Sequence, residues 1–268
     1  MDQGLRGEAI MGVLRRMRIA AMTVGTVGGL SGAMYGLLTG QGKRARVLIG
    51  RPTTAPHCAD GIYPAPGPNP LRFAVLGDSL AAGLGAEKAS QLPGVLLAHG
   101  LAEESGRPVE LKTYARVGAN TRTFIAQVDQ AVADPPDVAL VIIGGNDVTG
   151  KMRVRTSAAL LGIEIARLRT AGAAVVVATC PDLGTIRPIP QPLRSVVRRW
   201  GRMLAKAQRR AVHRAGGIAV SAADLVSPEF HIRHSELFSP DRFHPNGAGY
   251  AHAAGMLLAP LCTAVRVT

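Results

Sequence analysis

Four short motifs carry side chains that could do chemistry together. Ser79 stands in Gly77-Asp78-Ser79-Leu80, directly after the apolar run Phe73-Ala74-Val75-Leu76. Gly118 lies in Arg116-Val117-Gly118-Ala119-Asn120, and Asn146 in Gly144-Gly145-Asn146-Asp147. Far along the chain, Asp241 and His244 share the stretch Ser239-Pro240-Asp241-Arg242-Phe243-His244-Pro245. Singly, each has an ordinary reading: a serine after a strand can cap a helix, and glycine, asparagine and aspartate build turns. Jointly they form the inventory of acyl transfer. That chemistry needs a hydroxyl nucleophile, an imidazole base, a carboxylate that fixes the imidazole tautomer, and N–H donors for an oxyanion. The i, i+3 spacing lets Asp241 and His244 meet on one turn, while Asp78 is read as holding its turn rather than reacting. A helix starting at Ser79 would add a favourable dipole for the oxyanion.

The elements that must position these residues can be read from the apolar pattern. Strands are expected at 71–76, 108–113, 137–143, 173–179 and 217–221, with helices near 93–104, 121–133, 154–171, 193–214 and 247–263. Runs such as Val138-Ala139-Leu140-Val141-Ile142 lack polar alternation, as parallel strands covered on both faces do. The regular strand–helix order predicts a flavodoxin-like α/β/α sandwich in three layers around a five-stranded parallel sheet. Functional residues of such sheets collect at the strands' carboxyl ends, and all four motifs follow a strand.

At this point the motifs resemble a known family, the SGNH or GDSL-type hydrolases, which are esterases and lipases on a flavodoxin-like fold. The resemblance covers residues 71 to about 263, in the family's order, and the surrounding stretches are similar to actinobacterial members. It implies Ser79 as the nucleophile and Asp241 and His244 as the rest of a triad. It also implies an oxyanion hole made of the Ser79 N–H, the Gly118 N–H and the Asn146 side-chain amide. The expected reaction is hydrolysis of a small-molecule, lipid or glycan ester through an acyl-enzyme, without cofactor or metal. Ile186, Ile189, Phe230 and Phe238, in loops 183–193 and 225–240, are expected to line the substrate pocket.

Residues 1–70 lie outside that domain, which is read as 71–268. Of the net charge of +13, about half falls in the first 52 residues, where eight Lys and Arg face only Asp2 and Glu8. A basic segment, 1–18, precedes residues 19–40, which carry no charge and repeat glycine at 28, 32, 36 and 40. Such a run is long enough to cross a bilayer, and a small-residue stripe suits helix contacts in lipid. The expectation is a membrane anchor over 19–40, with a signal peptide or a helix packed on the domain as alternatives. A linker over 41–70 follows, with Lys43, Arg44 and Arg46 as the flanking charges, and the catalytic domain is expected outside the cytoplasm, although equal basic flanks leave the cytoplasmic face open. No nucleic-acid-binding pattern is visible.

Several rival readings stay open on sequence. Gly145 to Met152 matches GxxxxGK, but Met152 stands where a phosphate loop needs Ser or Thr for Mg²⁺. The G-x-S-x-G elbow of other hydrolases is absent. His231 and His234 could begin a metal site but lack a third ligand nearby. Cys180 reads as a buried structural residue, and Cys58 could pair with Cys262 in an oxidising compartment. The helix at 193–214 carries a basic face that reads as solvated. An inactive, membrane-anchored binding protein on the same fold is the alternative to the enzyme.

Overall fold

The structure is a computed structural model that describes residues 32–50 and 55–266. They divide into two units, with the boundary between residues 47 and 48. Helix α1 (32–49) belongs mainly to the first. It continues past Gly40 through Lys43, Arg44 and Arg46, so residues 41–49, expected as linker, are helical. The helix runs through Gly42 without interruption and ends at Gly50, whose φ of +77° makes a left-handed cap. Most of the expected anchor, residues 19–31, lies outside the described residues.

The second unit is built on a sheet of six strands in the order β1-β3-β2-β4-β5-β6. These are β1 (Gly61–Tyr63), β2 (Leu71–Gly77), β3 (Val109–Thr113), β4 (Val138–Ile142), β5 (Ala174–Ala178) and β6 (Ile218–Val220). The five expected strands are present and parallel. The sixth, β1, pairs antiparallel with β3 inside the stretch expected to be irregular. Three largely exposed residues bear no readable pattern. Their strand state comes from docking on the edge of β3, where Asp60 accepts the Thr113 N–H at 2.9 Å.

Both faces of the sheet are covered, which explains the unbroken apolar runs. On one side Phe73, Val75, Leu140 and Val176 share a core with α2 (Pro93–Ser105) and α10 (Gly247–Arg266). On the other Ala74, Leu76, Val141 and Val177 pack with α3 (Ile125–Ala133), α5 (Val154–Thr170) and α6 (Leu193–Arg214). Four short helices were not expected: α4 (Gly145–Thr149) after β4, and α7 (Ala222–Leu225), α8 (Ser227–Ile232) and α9 (His234–Leu237) after β6. Helix α3 begins at 125 rather than 121, because Asn120 and Thr121 engage in turn and side-chain bonds instead.

One described helix, α10, is long and apolar enough to cross a membrane, with mean hydropathy 1.3. It behaves as a core helix. Tyr250, Leu257 and Leu261 are buried on it, and it packs against α2 and strands β4 to β6.

Register matters most for the site. Gly77 sits beside Ile142, Ile142 beside Ala178, and Ala178 beside Val220. The carboxyl ends of four adjacent strands therefore finish in one row, and whatever follows them is delivered to one edge.

Candidate active site

The turn carrying Ser79 is held from below by side chains. Gly77 ends β2 with φ +137°, and any Cβ there would collide with the Ile142 carbonyl oxygen. Its backbone is paired by a buried amide of α3: Gln127 accepts the Gly77 N–H at 2.8 Å and donates to its carbonyl at 2.9 Å. Asp78 N–H then donates to Ile142 O at 3.0 Å, and the chain turns. No helix follows. Residues 79–85 form successive turns, with Leu84 N–H donating to Ser79 O at 3.0 Å, so the expected helix dipole is not available. Gly83 and Gly85, at φ +76° and +100°, stop the helix from propagating. At Gly85 the reason is contact: a Cβ would collide with Pro245 O in the loop that carries His244.

That approach completes a relay. His244 Nε2 lies 3.0 Å from Ser79 Oγ, and His244 Nδ1 lies 2.6 Å from Asp241 Oδ2. The other carboxylate oxygen, Asp241 Oδ1, accepts the N–H groups of Phe243 and His244 at 2.8 and 2.9 Å and the Ser239 hydroxyl at 2.8 Å. Burial alone would raise the Asp241 carboxyl, but the bonds from His244 and Phe243 outweigh it and hold the group at about 2. The turn closes through Ser239 N–H on His244 O at 2.8 Å and places Arg242 at φ +56°, a strained conformation for a non-glycine residue. A neutral imidazole between a hydroxyl and a fixed carboxylate can remove the hydroxyl's proton.

The donors sit around the same edge. Asn146, on α4, is aimed by a bond from its Nδ2 to Ala119 O at 2.9 Å, which leaves the second amide hydrogen for another acceptor. Gly118 takes φ +81° in the loop after β3. Among the described residues, neither the Ser79 nor the Gly118 N–H donates a hydrogen bond. The β4 exit is braced by Gln208 of α6, which donates to Ile143 O at 3.0 Å and accepts the Cys180 N–H at 2.8 Å. Sequence reasoning missed Gln127 and Gln208. Each is a polar residue on an otherwise apolar helix face, between Phe124 and Ala131 and between Leu204 and Ala211, and that misfit was the available signal.

Two buried carboxylates support the floor. Asp147 accepts the Thr121 N–H at 3.0 Å and its hydroxyl at 2.6 Å, and burial raises its carboxyl against those bonds. Burial pushes Asp78 up to about 7, opposed by the N–H groups of Leu80 and Gly144 and assisted by Asp147. An aspartate in an unfolded chain titrates near about 3.9. The folded protein thus keeps a proton that the unfolded chain has already lost between those values. Stability from this group is highest below about pH 4 and declines as pH rises through 7. Asp78→Asn, which carries no charge, is expected to flatten the fall of Tm between pH 5 and pH 8. A wild-type slope in differential scanning fluorimetry would show that Asp78 does not titrate there.

A mostly apolar cavity of ≈120 Å³ opens beside Ser79 and Asn146. Ile186, Phe230 and Phe238 line it as expected, whereas Ile189 is buried elsewhere. The rival motifs resolve differently. Gly145 to Met152 begins as helix α4 with a buried aspartate in its first turn, which would repel a phosphate. His231 faces Asp182 at 3.6 Å while His234 stacks on Phe238, so the two do not converge. All three cysteines carry free thiols, so the pairing of Cys58 with Cys262 is not formed. Cys180 is buried, and burial pushes its thiol up, away from the reactive thiolate.

Fold and strand-end motifs together define a class, the ester hydrolases of GDSL type. The GDSL-like Lipase/Acylhydrolase family profile matches residues 75–252, and the chain belongs to that family. Over 262 residues it is 42% identical to the GDSL-like esterase Rv1075c of Mycobacterium tuberculosis (strain ATCC 25618 / H37Rv), a match covering 92% of this chain and 83% of that protein. It is accordingly an ester-bond hydrolase. Among solved structures, TesA superposes with a TM-score of 0.58 at 20% identity, covering 71% of this chain and 97% of its own. The lipase/acylhydrolase from Enterococcus faecalis gives 0.57 at 17%, covering 72% and 95%. At such identities the likeness is one of fold.

Proposed function

We propose that the protein hydrolyses carboxylic esters through an acyl-enzyme on Ser79. His244 Nε2 accepts the Ser79 proton as Oγ attacks the acyl carbon. The oxyanion that forms is received by the N–H groups of Ser79 and Gly118 and by the Asn146 amide. Collapse breaks the ester bond, and the departing alcohol takes the proton from the imidazolium. Water then repeats the sequence on the acyl-enzyme, and the acid leaves with Ser79 restored. The observation that carries this reading is the unbroken chain Ser79–His244–Asp241, with links of 3.0 and 2.6 Å. A fluorophosphonate is expected to label the full-length protein on Ser79, located by peptide mass spectrometry. Labelling elsewhere, or none, would favour the inactive binding protein.

Asn146→Ala is expected to lower kcat about 10²–10³-fold with little change in KM, since the amide serves a charge present only in the transition state. A loss confined to KM would make Asn146 a contact to the ground-state ester. The amide's bond to Ala119 O supports the assignment, because it fixes the plane of the donor before substrate arrives.

We propose further that residues 19–40 anchor the protein to a membrane, with the hydrolase domain outside the cytoplasm. Support comes from twenty-two uncharged residues between basic flanks. The full chain is expected in the membrane fraction and a chain beginning at residue 53 in the supernatant. Protease added to intact spheroplasts should then remove the hydrolase domain.

A further inference from the structure

The cavity beside Ser79 has a built shape. Its floor crosses the row of strand ends, from Ile142 of β4 to Ala178 of β5 and on to Ala222 just after β6. Its roof is one stripe of α10, Tyr250, Ala253, Ala254 and Leu257, at i, i+3, i+4 and i+7. Four of these positions are alanine, and any larger side chain there would fill the space.

The polar residues in the wall do not make it polar, because their atoms are already engaged. Asp182 is held by Arg198 and Arg202 at 3.0 and 3.1 Å, and Ser227 donates to Ala222 O at 3.1 Å. Thr179 donates to Val220 O at 3.3 Å, and Tyr250 donates to Leu84 O at 2.7 Å. Unengaged polar groups remain at the mouth, where Ser79 and Asn146 lie. Apart from Asp78, whose Oδ1 accepts the Leu80 N–H, a chain entering past Ser79 therefore meets a mostly apolar wall.

We infer that this cavity is the acyl pocket, and that Ala178, Ala222, Ala253 and Ala254 set it to accept a straight acyl chain of about four to six carbons. The inference rests on Ser79 being the nucleophile, which puts the acyl carbonyl at the mouth. The size follows from volume: an apolar cavity of about 150 Å³ holds benzene, with six carbons, so ≈120 Å³ holds fewer. Branched or longer chains would have to displace α10 or its neighbours, whose core contacts are close-packed.

The test uses the full-length protein and p-nitrophenyl esters from acetate to decanoate. Each methylene that enters the pocket is expected to raise kcat/KM about fourfold, up to hexanoate, with at least a tenfold fall by decanoate. Ala253→Leu, at a partly buried position of the cavity wall, is expected to cut the hexanoate-to-acetate ratio at least tenfold. Should that variant fail to fold, inactivation of the wild type by pentyl against decyl fluorophosphonates reads the same limit. A ratio untouched by Ala253→Leu, or turnover still rising through decanoate, would overturn the acyl-pocket inference while Ser79 labelling upheld the serine hydrolase. Absence of both labelling and turnover would instead remove the hydrolytic reading itself, and the pocket assignment with it.

Discussion

Ser79→Ala is expected to reduce kcat for a short-chain aryl ester by at least about 10⁴-fold and to abolish fluorophosphonate labelling. In serine hydrolases whose triads have been dismantled, loss of the nucleophile costs about 10⁶ in kcat, and what remains comes from binding and the oxyanion hole. The fold should survive. Ser79 Oγ has one partner, His244 Nε2, and a single hydrogen bond of this kind contributes about 1 kcal/mol. The turn is held instead by Gln127 on Gly77, by Asp78 on Leu80 and by the packing of Gly85 against the His244 loop. Purified variant with wild-type circular dichroism and wild-type turnover would end the proposal that Ser79 is the nucleophile.

Asp241→Asn should cost about 10⁴-fold in kcat with the loop intact, the magnitude seen when the triad carboxylate of another serine hydrolase is replaced by its amide. The expectation comes from how the two oxygens are used. Oδ1 accepts three donors, from Phe243, His244 and Ser239, so the asparagine keeps its one oxygen there. Its NH₂ then faces His244 Nδ1 in place of Oδ2 and must donate. That forces the imidazole proton onto Nε2, which can no longer accept from Ser79. Nitrogen chemical shifts of the His244 ring should report the inverted tautomer, and a variant within tenfold of wild type would deny Asp241 its orienting role. The same carboxylate sets an acid limit. Its folded value of about 2 lies below that of an unfolded aspartate, so its contribution is present above about pH 4 and is lost as pH falls toward 2.

Much of this was legible in the chain because it is local. Apolar runs without alternation marked five strands, and helical periodicity marked the covering layers. Ser79, Gly118 and Asn146 were visible because their motifs come soon after a strand. The Asp241–His244 pair was readable because an i, i+3 spacing on one turn suffices to bring them together. What the sequence could not decide was everything that depends on which distant segments touch. Strand β1 is a strand because β3 offers an edge; Ile62 and Tyr63 suit a strand, but three residues, the first a glycine, are too few to mark one. The chain after Ser79 turns rather than coils because Gly85 must sit against Pro245, some 160 positions away. Gln127 and Gln208 are buried because strand exits need partners for their backbone groups, a demand that exists only once the sheet has formed. The ≈120 Å³ cavity belongs to the same class: its alanines come from β5, α7 and α10, and only the common register of the strand ends and the seating of α10 place them around one space. Local pattern specifies which residues are available for chemistry, because it is set by bonds a few residues long. Distances between them are set by packing, and packing is a property of the whole core.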